Sequence, residues 1–126
     1  QAVVFQIIDQ AAEVVAAGTN MLVLAAGTYA DAAAAVAALN SGGALASPTI
    51  PTTSSTAVAD NSEFLVIYEN TDGDAVLANM TVNNGSNIAA GGALTFDGGD
   101  DLLVLTGVSV YTGATIDLIP SNFQFV

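Results

Sequence analysis

The sequence predicts a mainly β fold: an antiparallel, sandwich-like domain carrying one short Ala-rich helix. Three observations lead there. Short β-branched and aromatic runs recur along the chain between turn residues. A single stretch, Ala30 to Asn40, combines helix-forming composition with start and stop signals. Finally, 52% hydrophobic residues in a chain of 126 are enough for one core of ordinary domain size. We therefore expect a single domain over residues 1–126, with a Ser/Thr/Pro-rich connection near 41–61.

The elements follow in order. Ala2 to Ile8 reads as a strand that breaks at Asp9-Gln10, and Asp9 to Ala17 has the composition of a short helical turn weakened by Val14-Val15 and Gly18. Met21 to Leu24, bounded by Gly18-Thr19-Asn20 and Gly27, is a clearer strand. The helix over Ala30 to Asn40 has Thr28 as its candidate N-cap, Asp31 in the first turn and Gly42-Gly43 behind it. Tyr29, Val36 and Leu39 form its narrow apolar stripe. Ser41 to Asn61 is interrupted by Pro48 and Pro51, and Ala44 to Ile50 is expected to be extended and paired.

The second half reads as antiparallel strands. Glu63 to Tyr68 and Ala75 to Val82 bracket Asn70-Thr71-Asp72-Gly73-Asp74, where Asp-Gly tolerates the positive φ of a hairpin turn. A second turn follows at Asn83-Asn84-Gly85-Ser86. Further strands are expected at Ala93 to Phe96, Leu102 to Thr106, Val108 to Tyr111 and Phe123 to Val126. The Leu-Val-Leu wording of Met21 to Leu24 returns in Leu102 to Leu105, each after a polar turn.

Charge narrows the function. Twelve Asp and Glu face no Lys, Arg or His, giving a formal net charge of -12. Without a basic side chain nothing neutralises phosphates, so nucleic-acid binding and attachment to an anionic membrane are excluded. The longest apolar run, Ala32 to Leu39, is far below the ~18 residues of a spanning helix, so no membrane insertion is expected. Histidine and cysteine are absent too, which removes the usual bases, nucleophiles and soft metal ligands. No aspartic-protease Asp-Thr-Gly or Asp-Ser-Gly signature occurs, and the plentiful Ser and Thr have no base to activate them. We expect a protein that is not an enzyme.

Unpaired carboxylates need solvent, hydrogen bonds or a divalent ion. Asn70, Asp72 and Asp74 alternate as oxygen ligands do in calcium loops, although no glutamate stands at the twelfth position, so the alternatives are calcium or a plain hairpin turn. Asp97, Asp100 and Asp101 surround Gly98-Gly99 in what reads as one short acidic loop, where calcium and a solvated turn are again the alternatives. Apolar, strand-prone ends complete the picture. Val3, Val4, Phe5 and Ile7 at one end, and Phe123 and Phe125 at the other, are expected either to pair with each other or to join copies of the chain to one another.

Several stretches together resemble the C-terminal region of bacterial type I-secreted, repeats-in-toxin-type adhesins and surface-layer proteins. They are Asn20 to Ala34, Glu63 to Asn70, Asp101 to Val108 and Ser121 to Val126. The resemblance implies recognition by secretion machinery, an extracellular or cell-surface location and folding driven by calcium. The Gly-Gly-x-Gly-x-Asp repeats of that family are missing, so secretion is implied more strongly than calcium. The expectation is an extracellular structural protein that self-associates as a subunit or terminal module of a fibre, adhesin or surface layer. The alternative is a viral capsid-decoration or tail-fibre protein.

Overall fold

Apolar strand runs need cover on both faces, and the chain supplies it from two sides. A computed structural model describes residues 4–52, 58–112 and 115–118. Strands β1 (Phe5–Ile8), β2 (Met21–Leu24), β3 (Glu63–Glu69), β4 (Ala75–Val82) and β5 (Phe96–Leu105) form one sheet in that spatial order. Helix α1 (Ala32–Leu39) lies between β2 and β3 in the chain, and β6 (Tyr111–Thr112) and β7 (Thr115–Ile116) make a small antiparallel ribbon.

The fold is mainly β with one short helix, as the sequence predicts, but the sheet is mixed. β3, β4 and β5 are antiparallel neighbours, whereas β1 pairs parallel with β2 and β2 parallel with β3. The physical reason is the pair of crossovers, through 9–20 and through α1 with its connection, that return the chain to the same end of the sheet before β2 and β3. All four residues of β2 are buried, which suits a parallel strand covered on both faces.

On one face, Leu22, Leu24, Phe64, Val66, Tyr68, Val76, Ala78, Met80, Val82 and Phe96 pack against Ala32, Ala35, Val36 and Leu39 of α1. On the other, Met21, Val23, Ile67 and Ala75 meet Val110 and Leu118, which flank the ribbon. The arrangement is sandwich-like in carrying this second small sheet beside the main one. Burial alternates along β4, as expected of a strand whose two faces are unequally covered.

The hairpin forms at Asp72-Gly73, with Gly73 at φ +85 and its amide donating to Asn70 O at 3.0 Å. The helix starts one turn later than Thr28 would set it. Asp31 is the N-cap, its Oδ1 accepting from Ala34 N at 2.8 Å. Residues 9–17 form turns rather than a helix, tied by Ala12 N donating to Ala46 O and by a bridge between Val14 and Thr49. In 44–50 pairing is confined to Thr49, which also bridges Ala93. Ala93 to Phe96 and Leu102 to Thr106 are not two strands: one strand, β5, runs through the intervening acids. None of the helices among the described residues is long and apolar enough to cross a membrane.

Candidate self-association surface

Among the described residues the sheet ends in two strands with one neighbouring strand each, β1 and β5. An edge strand presents unpaired backbone groups to whatever lies outside, and proteins usually blunt such edges with charge, proline or short length. β1 is blunted by length: it has four residues. Ile7 there and Val4 just before it are exposed, at 39% and 42%, while Phe5 is half-buried against the core on the Met21 and Val23 face. Val3, Phe123 and Phe125 lie outside the described residues. The structure thus brings Val4, Phe5 and Ile7 together at one edge.

β5 is different, and sequence reasoning did not single it out as a surface. It is ten residues long, acidic in its first half and apolar in its second. Leu102, Leu103 and Val104 are exposed at 54%, 51% and 48%. The nearly identical wording in β2 is fully buried. What separates the two is position in the sheet, since among the described residues β2 has a strand on each side and β5 only β4.

β5 reaches this length through two irregularities in its pairing with β4. The register slips once near Gly98-Gly99 and once at Leu102. Gly99 sits at φ +126 with α1 directly above it: a Cβ there would meet Ala32 Cβ at 3.1 Å and Val36 Cγ2 at 3.3 Å. Glycine therefore lets the helix lie on the strand. The signal was present in the sequence as Gly-Gly between acids, but the same pair suits a loop, which is how it reads there. The correction is that Asp97, Asp100 and Asp101 belong to a strand.

One end of the β5 edge is closed by a side chain. Asn40, the C-cap of α1, donates from Nδ2 to Phe96 O at 2.7 Å and accepts from Phe96 N at Oδ1 at 2.8 Å. Its amide imitates one residue of a neighbouring strand. Among the described residues no strand continues that pairing toward Leu105.

Several of the acidic residues are held by donors from within the chain. Asn70 Oδ1 accepts from the amides of Asp72 and Asp74 at 3.0 and 2.9 Å, an Asx turn inside the hairpin. Asp74 Oδ1 accepts from Gly107 N at 2.8 Å and Glu69 Oε2 from Val110 N at 3.2 Å, stitching the segment after β5 to the hairpin. Asp97 takes Asn83 Nδ2 and Gly98 N, and these hydrogen bonds hold its carboxyl below the usual range. It lines a polar, open depression of about 220 Å³ with Asn61, Thr81, Asn83 and Gly98. Asp101 Oδ1 accepts from the Tyr68 hydroxyl at 2.8 Å. Burial first, then that hydrogen bond and the charges of Asp101 and Asp31, push the Tyr68 hydroxyl well above its ordinary range. Asn70, Asp72 and Asp74 stay in the hairpin turn, while Asp97, Asp100 and Asp101 follow one another along β5. No three acidic side chains gather into a group that could hold a metal among the described residues.

No protein-family model matches the chain, and neither a curated protein nor a solved structure matches it.

Proposed function

We propose that this domain is a structural, non-enzymatic module that self-associates through its sheet edges, as a subunit or terminal module of an extracellular fibre, adhesin or surface layer exported by type I secretion. One observation carries the reading: three consecutive large apolar residues, Leu102 to Val104, stand about half exposed on a ten-residue edge strand. Exposed apolar edges recruit other chains unless something covers them. The twelve acids oppose indiscriminate contact, because no cation in the chain offsets them. Association is therefore confined to surfaces where the acids are absent, and it strengthens when calcium or protons reduce the repulsion. Sedimentation velocity over a hundredfold concentration range, in millimolar calcium, in chelator and at mildly acidic pH, tests this. Concentration-dependent oligomers, favoured by calcium or acid, are expected. A monomer under all of these conditions overturns the reading.

A further inference from the structure

We infer that Asn84-Gly85 is a clamped deamidation site, a self-modifying pair that the Asp60 carboxylate and the backbone at 93–95 hold unreactive until this loop opens. The inference is independent of the self-association reading.

Asparagine followed by glycine is the pair in which the next amide nitrogen reaches the side-chain carbonyl carbon most freely, because glycine has no Cβ in the way. No other asparagine in the chain precedes glycine. Both residues are exposed in the link between β4 and β5, so water and hydroxide reach them. In the reaction, Gly85 N gives its proton to solvent base and bonds to Asn84 Cγ, and the side-chain nitrogen leaves as ammonia. Water then opens the cyclic succinimide at one of its two ring C–N bonds, leaving aspartate or isoaspartate at position 84. Nothing beyond water is consumed.

The fold blocks the first bond from two directions. Asn84 Nδ2 donates to Ala93 O at 3.0 Å and Asn84 Oδ1 accepts from Thr95 N at 2.9 Å, so Cγ cannot turn onto Gly85 N without breaking both. From the other side, a single oxygen of Asp60, Oδ1, accepts from Asn84 N at 2.8 Å and from Gly85 N at 3.2 Å. A proton leaving Gly85 N would set an amide anion against that carboxylate, which like charge opposes. Asp60 is itself fixed, its own amide donating to Asn87 Oδ1 at 3.1 Å.

Once the step occurs, refolding does not undo it. The product lacks Nδ2, so Ala93 O loses its donor, and a further carboxylate joins the twelve present. Isoaspartate also adds a carbon to the main chain between 84 and 85, which moves Gly85 N off Asp60. A transient opening of the loop is thereby made permanent.

Hydroxylamine cleaves a chain at a succinimide. A cut after position 84 divides this one into 1–84 and 85–126, fragments distinct from those that Asp72-Gly73 and Asp97-Gly98 would give. The full protein is incubated with hydroxylamine at mildly alkaline pH, in native buffer and in urea, and the products are weighed by mass spectrometry. The cut is expected in urea and at least about tenfold more slowly in native buffer, the factor that one charge-assisted hydrogen bond supplies. Asp60→Ala is expected to speed the native cut by about tenfold, with circular dichroism confirming its fold. Asn84→Gln, whose larger ring closes slowly, is expected to abolish the cut in both solvents. Gly99→Ala, which strains β5 beneath α1, is expected to leave the native rate near that of the wild-type protein. Absence of the cut in urea, or equal wild-type rates in urea and native buffer, overturns the inference. So does a folded Asp60→Ala protein cut no faster than wild type. A Gly99→Ala protein cut as fast as Asp60→Ala also overturns it, since the site would then open only with the whole domain. Should Asp60→Ala fail to fold, Asp60→Asn, which keeps Oδ1 and removes the charge, is read in its place by the same criteria.

Discussion

Asn40 offers the sharpest test of how the edge of this sheet is finished. Replacing it with alanine removes two hydrogen bonds to one residue, those at 2.7 and 2.8 Å to Phe96 O and N, while leaving the backbone bond from Asn40 N to Val36 O. Each such bond contributes about 1 kcal/mol net, and more when the orphaned group stays dry. Phe96 is 2% exposed and packed edge-to-face against Phe64 with ring centroids 6.0 Å apart, so water has poor access from the core side. We expect Asn40→Ala to cost about 2 kcal/mol. With an unfolding entropy of about 2.1 cal/mol/K per residue over 126 residues, that is a fall in Tm of about 8 °C. Differential scanning calorimetry with urea denaturation at constant m-value is the assay. Asn40→Asp adds a sign. The carboxylate keeps an acceptor for Phe96 N but turns a second acceptor toward Phe96 O, at the negative end of α1, so ionisation is disfavoured in the folded state. Its raised pKa makes the loss relative to the wild-type protein smallest below about pH 4 and progressively larger as pH rises through the carboxyl range. If Asn40→Ala costs under ~0.5 kcal/mol, or if Asn40→Asp shows no such dependence, water replaces the amide freely and the edge is not sealed there.

Three further outcomes are expected. Gly99→Ala places a methyl at φ +126 and 3.1 Å from Ala32, and should cost roughly 1–3 kcal/mol by urea denaturation, whereas Gly85→Ala, with open space around it, should cost less. The Tyr68 hydroxyl is held protonated by burial and by Asp101, so its folded pKa lies above the ordinary value near 10. Its contribution is therefore complete below about pH 10 and is lost as pH rises toward the folded pKa; Tyr68→Phe should cost about 1 kcal/mol at neutral pH and flatten the alkaline fall in Tm. Asp74→Ala should leave the core intact but speed amide exchange at Gly107, whose donor it removes from partnership.

Much of this architecture is legible in the chain because local chemistry decides it. The hairpin at Asp72-Gly73 needs only residues that accept its φ, and the short helix only alanines, a cap and a stop. Strand partners are another matter. Nothing within Phe5–Ile8 or Met21–Leu24 states that they lie parallel, since that choice is made by the crossovers of 9–20 and of α1 with its long connection. Likewise, Asp97 to Asp101 reads as a loop because glycines and acids usually end strands, yet β4 offers a ladder with two slips, and Ala78 is small enough to let Asp101 reach Tyr68. The surface at Leu102 to Val104 is hidden for the opposite reason. Its wording matches that of β2, and only the count of neighbouring strands separates a core from an exposed face.

The strands lie in the sheet in the order of their synthesis, and this sets a timetable. β3 and β4 close through a tight turn and recruit β5 across 83–95, while β2 meets β3 only after the helix and the long connection have been gathered in. Loop closure makes the first events fast and the last ones slow. By loop length β5 joins β4 before β2 is brought to β3, so the apolar edge of β5 is expected before the two halves of the sheet are joined. Chains meeting at that stage would pair while half-folded. Asp97, Asp100 and Asp101, placed ahead of the apolar run, act then as gatekeepers in time, setting carboxylates beside the exposed residues while chains can still meet half-folded.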